Sequence, residues 1–415
     1  MSFKSKFFGL SFLSLLMLFI TGSAIADPGL IYGKVYTIDD EVLEGFIRWD
    51  KNEVAWDDVL DGDKELRRES RKKHRRYNDD DDDEEITIFG VTIYNSGRSR
   101  NSWGWSGNAQ SGIRFGHIKT LTPDGNDEVL LELKSGEEVY LENGSGDIGN
   151  DIREILIDTE DEGTIELYWD DIEKIEFQKT PKRDCRFGNR LYGTVAVDRG
   201  DEYTGFISWD MDESFDADIL DGSEGNRKRK IKFSKIETIE RRSSNSAIIS
   251  LKGGKKIRMK GTNDVNNGNR GIVVSDLTLG RVVIDWDEFD YLEFKEAPDG
   301  PAYNKFDGGR LLKGTVFCED GDDYEGEIKW DDDEEYTWEL LDGEIDDVDF
   351  AIEFGQIRSI EKSSRHGAEV ILKDGRKFRL RDSNDIDNDN KGIIIKDGDK
   401  MTVVDWYDFE RLELD

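Results

Sequence analysis

Apolar and polar residues alternate with period two along much of this chain. "YTGFISW" (203–209) and "KKIRMK" (255–260) show the pattern most clearly. That period predicts half-buried strands, since successive side chains of a strand point to opposite faces. "LKSG" (133–136), "LKGG" (251–254) and "LKDG" (372–375) fall between such runs and predict tight turns. A second pattern is an apolar pair three residues apart inside a charged run. It occurs as Phe115/Ile118, Ile172/Ile175, Phe233/Ile236, Phe289/Leu292, Phe354/Ile357 and Phe409/Leu412. The spacing predicts one tight helical turn leading into a strand. No long stretch carries helical apolar spacing, so the expectation is an all-β chain.

The pattern repeats on a larger scale, the signature of a repeat architecture. "RLYGTVAVDRGDEYTGFISWD" near Arg190 matches "RLLKGTVFCEDGDDYEGEIKWD" near Arg310 and "LIYGKVYTIDDEVLEGFIRWD" near Leu30. Gly33, Gly193 and Gly314 lead by 12 to Gly45, Gly205 and Gly326, and by 16 to Trp49, Trp209 and Trp330. A second half follows in each copy, closing on "LYWDDIEKIEF", "IDWDEFDYLEF" and "VDWYDFERLEL". The organisation expected is three repeats, 27–178, 188–296 and 308–415, after a segment 1–26. The first repeat carries a charged, Trp/Gly-rich insertion at about 63–112. The joins "QKTPKRDCRF" and "APDGPAYNKFD" read as linkers. Short strands, Gly/Asp turns and a helical turn before a last strand resemble the SH3-like or Sm-like small barrel. The resemblance is one of fold and brings no functional residues with it. It implies tandem small antiparallel barrels, two per repeat, with one larger barrel per repeat as the alternative. The Trp-Asp pairs share only a dipeptide with propeller repeats, which recur every ~40–45 residues.

Charge narrows the function. The chain has 94 acidic and 58 basic residues, a net charge of −36. Such a surface repels nucleic acid and anionic lipid and attracts divalent cations or basic partners. Residues 1–26 read as an export signal: Lys4 and Lys6, an apolar run over 7–20, then small residues at Ala24–Ala26. No later stretch is apolar enough to span a bilayer, so no membrane insertion is expected after cleavage. The expected location is periplasmic or extracellular. Cys185 and Cys318 are available for a bridge there, and their spacing does not decide whether they pair.

The candidate chemistry sits after the repeated tryptophan. "WDKNEVAWDDVLDG", "WDMDESFDADILDG" and "WDDDEEYTWELLDG" place carboxylates in register: Asp50, Asp210 and Asp331; Glu53, Glu213 and Glu334; Asp61, Asp221 and Asp342. Asp58, Asp218 and Glu339 also match. Calcium takes six to eight oxygens, which such a hairpin could supply. The competing reading is a solvated acidic hairpin with Asp-Gly as its turn and the Val59/Leu60, Ile219/Leu220 and Leu340/Leu341 pairs on the core side. Further on, Asp147, Asp264 and Asp385 recur with Arg153, Arg270 and Lys391 six residues later. That pairing reads as a loop-closing ion pair. Trp103 and Trp105 stand in a Gly/Ser-rich loop as partner-binding candidates, for a protein or a glycan. Catalysis has little support: His74, His117 and His366 keep no matched position, and no nucleophile elbow or phosphate loop occurs. The expectation is an exported, non-enzymatic binding or scaffolding module of the cell envelope. A calcium-binding protein is the second reading and a carboxylate hydrolase the third. No cofactor other than calcium is implied.

Overall fold

The computed structural model describes residues 26–65, 85–88, 91–94, 108–142 and 146–415. The segment read as an export signal (up to residue 25), His74 and the Trp103/Trp105 loop lie outside these residues. The fold is all-β. Its strands are antiparallel, and its only helices among the described residues are single 3-10 turns. Among the described residues, no helix is long and apolar enough to cross a membrane.

The second segment shows the plan. Its ten strands lie side by side in the order Gly280–Ile284, Ile272–Asp276, Glu202–Ser208, Tyr192–Val197, Phe289–Phe294, Ile236–Ser243, Ser246–Leu251, Lys256–Lys260, Ile219–Glu224 and Arg227–Lys232. The first and third segments repeat this order. The hairpin Tyr192–Val197/Glu202–Ser208 therefore pairs with strands of the later half. The hairpin Ser246–Leu251/Lys256–Lys260 pairs back with the earlier half. The two halves exchange their opening hairpins. The sheets do not close, which corrects the expectation of tandem closed barrels: the strands at both ends of the order do not pair with each other.

The glycines spaced by 12 explain how the exchange fits. Gly33 faces Gly45, Gly193 faces Gly205 and Gly314 faces Gly326 across their hairpins. A Cβ at Gly205 would sit 2.4 Å from the Ser275 carbonyl oxygen, and one at Gly193 would sit 2.4 Å from that of Glu293. Only glycine lets the neighbouring backbone approach that closely.

Trp49, Trp209 and Trp330 are fully buried at the end of their strands. Each indole N–H donates to the carbonyl of Asp147, Asp264 or Asp385, at 2.9, 3.0 and 2.8 Å. Leu60, Leu220 and Leu341 are fully buried too, as the core reading expected; of their expected core neighbours Val59 is buried, but Ile219 and Leu340 are only half-buried. The turn is elsewhere than expected. It falls at Asp50–Lys51, Asp210–Met211 and Asp331–Asp332, all with positive φ. Asp61-Gly62 instead lies inside the strand Val59–Glu65. Its glycine is needed because a Cβ would meet Ile148 Cδ1 at 2.6 Å. The apolar pairs three apart are all buried. Phe115–His117, Phe233–Lys235 and Phe354–Gln356 form the expected 3-10 turns. In the later halves, Ile172, Phe289 and Phe409 already start strands.

The segments are not beads on a string. Gly280–Ile284 of the second pairs antiparallel with Val348–Glu353 of the third, giving one twenty-stranded sheet. Their apolar residues form one core, and the first segment has its own. The joins are packed straps. Trp56 donates to Thr180 Oγ1 at 3.0 Å, the Tyr303 hydroxyl donates to the Ile118 carbonyl at 2.7 Å, and Phe306 lies in the first core. Both cysteines are free. Cys318 belongs to the second core and Cys185 packs against the first.

Candidate functional site

The repeated carboxylates have four different fates. Asp50, Asp210 and Asp331 close the loop that begins at Asp147, Asp264 and Asp385. Asp50 accepts the backbone N–H of Arg153 at 2.6 Å and its guanidinium at 2.9 Å; Asp210 accepts the same groups of Arg270 at 2.7 and 3.0 Å. Asp331 accepts the backbone N–H of Lys391, whose amino group stands 4.0 Å away. The loop-closing ion pair thus exists, but its acid is the one after the tryptophan. Asp147, Asp264 and Asp385 instead accept the backbone N–H of Asp61, Asp221 and Asp342, at 3.0, 2.6 and 2.7 Å.

Asp58, Asp218 and Glu339 each accept two backbone N–H groups of their own hairpin. Each also meets a cation from another segment. Arg190 lies 3.7 Å from Asp58, Arg48 lies 3.0 Å from Asp218, and Lys64 pairs with Glu339. Arg190 is buried, 3.1 Å from Asp57 and over the Phe206 ring at 3.6 Å. Arg281 forks onto Asp61, and Arg114 lies 3.2 Å from Glu353. Sequence reasoning missed these basic residues because it searched for what recurs. Arg48 matches Ser208 and Lys329, Lys64 matches Glu224 and Ile345, and Arg190 matches Leu30 and Leu311. The departures between copies were the available signal.

Glu53, Glu213 and Glu334 lie beneath the hairpin. One carboxyl oxygen of each has no hydrogen-bond partner among the described residues. Burial, then the charge of Asp212, pushes Glu213 up to about 10. Burial raises Glu53 and Glu334 well above the usual carboxylate range, with Asp147 and Asp385 the next causes. Among the described residues, Asp210, Asp212 and Glu213 bring one oxygen each within 4.8 Å of one another. Arg270 already occupies that group, 2.7 Å from Asp212 and 3.0 Å from Asp210.

A cleft of about 390 Å³ opens where the three segments meet. Eight carboxylates and two basic side chains line it. Asp61 and Lys64 come from the first segment, Arg281 from the second, and Asp333, Glu334, Asp342 and Asp349 are among those from the third. Of the candidate metal residues, it gathers Asp61, Glu334 and Asp342. Asp50, Asp210 and Asp331 are taken up by loop closure. Asp221 joins a strand of the second segment, away from the cleft. A smaller cleft of about 210 Å³ between the first and second segments is lined by Glu53, Asp147 and Arg281. Of the histidines, His117 is buried, accepting the Gly308 N–H at 3.1 Å with its other nitrogen 3.3 Å from Glu353. His366 lies in a turn. Comparison with known proteins finds no matching family model, no similar curated protein and no similar solved structure.

Proposed function

We propose that the chain is an exported, non-enzymatic tandem-repeat scaffold that holds a cationic group of its partner in the cleft between the three segments. The observation that carries this is the cleft itself. Eight carboxylates face two cations in a space sized for one side chain or small ligand, in a chain of net charge −36. Both cations are engaged, Arg281 by Asp61 and Lys64 by Glu339. Such a wall attracts and orients positive charge. The repeat reading is supported by the common strand order, and within it each half-segment is an SH3-like unit that has traded its first hairpin. Catalysis is not part of the proposal: the buried imidazole of His117 is held by structural contacts and is not among the groups that line the cleft.

The test titrates the mature chain with a Lys/Arg-rich peptide and with a polyamine by calorimetry at low and physiological salt. Saturable, salt-weakened binding is expected. Asp342→Asn with Asp349→Asn, both at exposed cleft positions, is expected to weaken it roughly tenfold or more, as loss of charge complementarity does. Equal affinity in the double variant would remove the cleft as the site.

A further inference from the structure

The three segments neutralise one position in three ways. The third residue after the repeated tryptophan is Asn52, Asp212 or Asp333. In the first segment the Asn52 amide donates to Glu53. In the second, Arg270 reaches over Asp210 to Asp212, and Arg153 of the first segment stands 3.4 Å from the same carboxylate. In the third, Lys391 replaces that arginine, and its amino group stops 4.0 Å from Asp331. Lys64 enters the cleft but goes to Glu339 and to the Asp333 carbonyl at 3.3 Å, not to its carboxylate.

Among the described residues no cation stands within ion-pair distance of the Asp333 carboxylate, although Lys391 and Lys64 act on it from farther off. The residue is only 8 % exposed, yet Oδ1 has no hydrogen-bond partner among the described residues. Among the same residues, Oε2 of the adjoining Glu334 has no hydrogen-bond partner either. Both residues line the central cleft. Around them stand Asp331, Asp385 and Glu339, with Lys391 and Lys64 the nearby bases. Buried carboxylates are paired or coordinate metals, and an orphaned one is costly.

We infer that Asp333 and Glu334 bind a hard divalent cation, calcium or magnesium, at the wall of the central cleft, with water completing its coordination. Oxygen-only donors at an open cleft suit such ions. The inference rests on the cleft being a site for positive charge and names one occupant of it.

The test uses the full mature chain stripped with chelator. Melting temperature is followed against millimolar calcium and magnesium, and terbium luminescence sensitised by the neighbouring tryptophans reports direct occupancy. The wild type is expected to gain several degrees and to show saturable luminescence. Two variants borrow the chain's own alternatives, so both are expected to fold. Asp333→Asn copies Asn52, and Lys391→Arg copies Arg270. Each is expected to hold or raise the metal-free melting temperature and to abolish the metal-dependent gain. An unmoved wild type overturns the inference, and so does a gain that survives in Asp333→Asn. If divalent ions fail while the basic peptide still binds, this inference falls and the cleft reading stands.

Discussion

Among single residues, those that bind the segments together are the ones that differ between copies. Arg190 is the clearest. Its guanidinium lies among Asp57, Asp58 and Asp27 with 3 % of its side chain exposed. Removing one partner of a buried ion pair leaves the other charged and unpaired, which costs about 3–5 kcal/mol. Arg190→Ala is expected to lose about that much in urea unfolding. A loss under about 1 kcal/mol would show that water already solvates the acids, since exposed pairs contribute that little. Glycine is constrained differently. Gly205→Ala would push a methyl into the Ser275 carbonyl, and such overpacking costs about 1–3 kcal/mol. The same letter at Gly62 looked like a turn in the sequence. A close approach and a turn both demand glycine, and only the fold separates them.

Elements were legible where the cause is local. Period-two alternation located strands such as Glu202–Ser208 and Lys256–Lys260, and the buried Phe233 does open a 3-10 turn. Partners were not legible. Nothing in "YGTVAV" says that its second neighbour, beside Glu202–Ser208, is Phe289–Phe294 rather than another strand of its own half. That choice is made by contacts about a hundred residues apart. Edges carry their own logic. Arg227–Lys232, "RKRKIK", pairs on one side only, whereas its counterpart Val348–Glu353 carries the second segment's Gly280–Ile284. Lysine on a free edge discourages pairing with another chain. Replacing Lys228, Lys230 and Lys232 with threonine is therefore expected to produce concentration-dependent association in light scattering. A variant that stays monomeric would mean that strand twist alone guards the edge.

For the whole molecule, the balance of charge is set by burial. Burial pushes Asp147 up to about 7 and Asp264 and Asp58 to about 6. In an unfolded chain these groups ionise near pH 4. The folded chain therefore holds more protons between about pH 4 and pH 7. Their stabilising contribution is present at the acid end and is lost as pH rises through that window. In chelator, the melting temperature is expected to fall from about pH 5 to about pH 8; a rise would show that burial does not hold these protons in the folded chain. The shared sheet and core of the second and third segments also predict one calorimetric transition for the pair. Two resolved transitions assignable to 188–296 and 308–415 would contradict that coupling.

The traded hairpins bear on how such a chain can change length. In each segment the first strand is completed by the last, so Tyr192–Val197 waits for Phe289–Phe294 and Lys313–Cys318 for Phe409–Leu414. Half a segment added or deleted would leave one hairpin with no receiving strands and another unclaimed. The gene can therefore grow or shrink only by whole segments. Internal insertions survive only where no strand is interrupted, and the long one between Val59–Glu65 and Asn108–Arg114 joins two strands that still pair with each other.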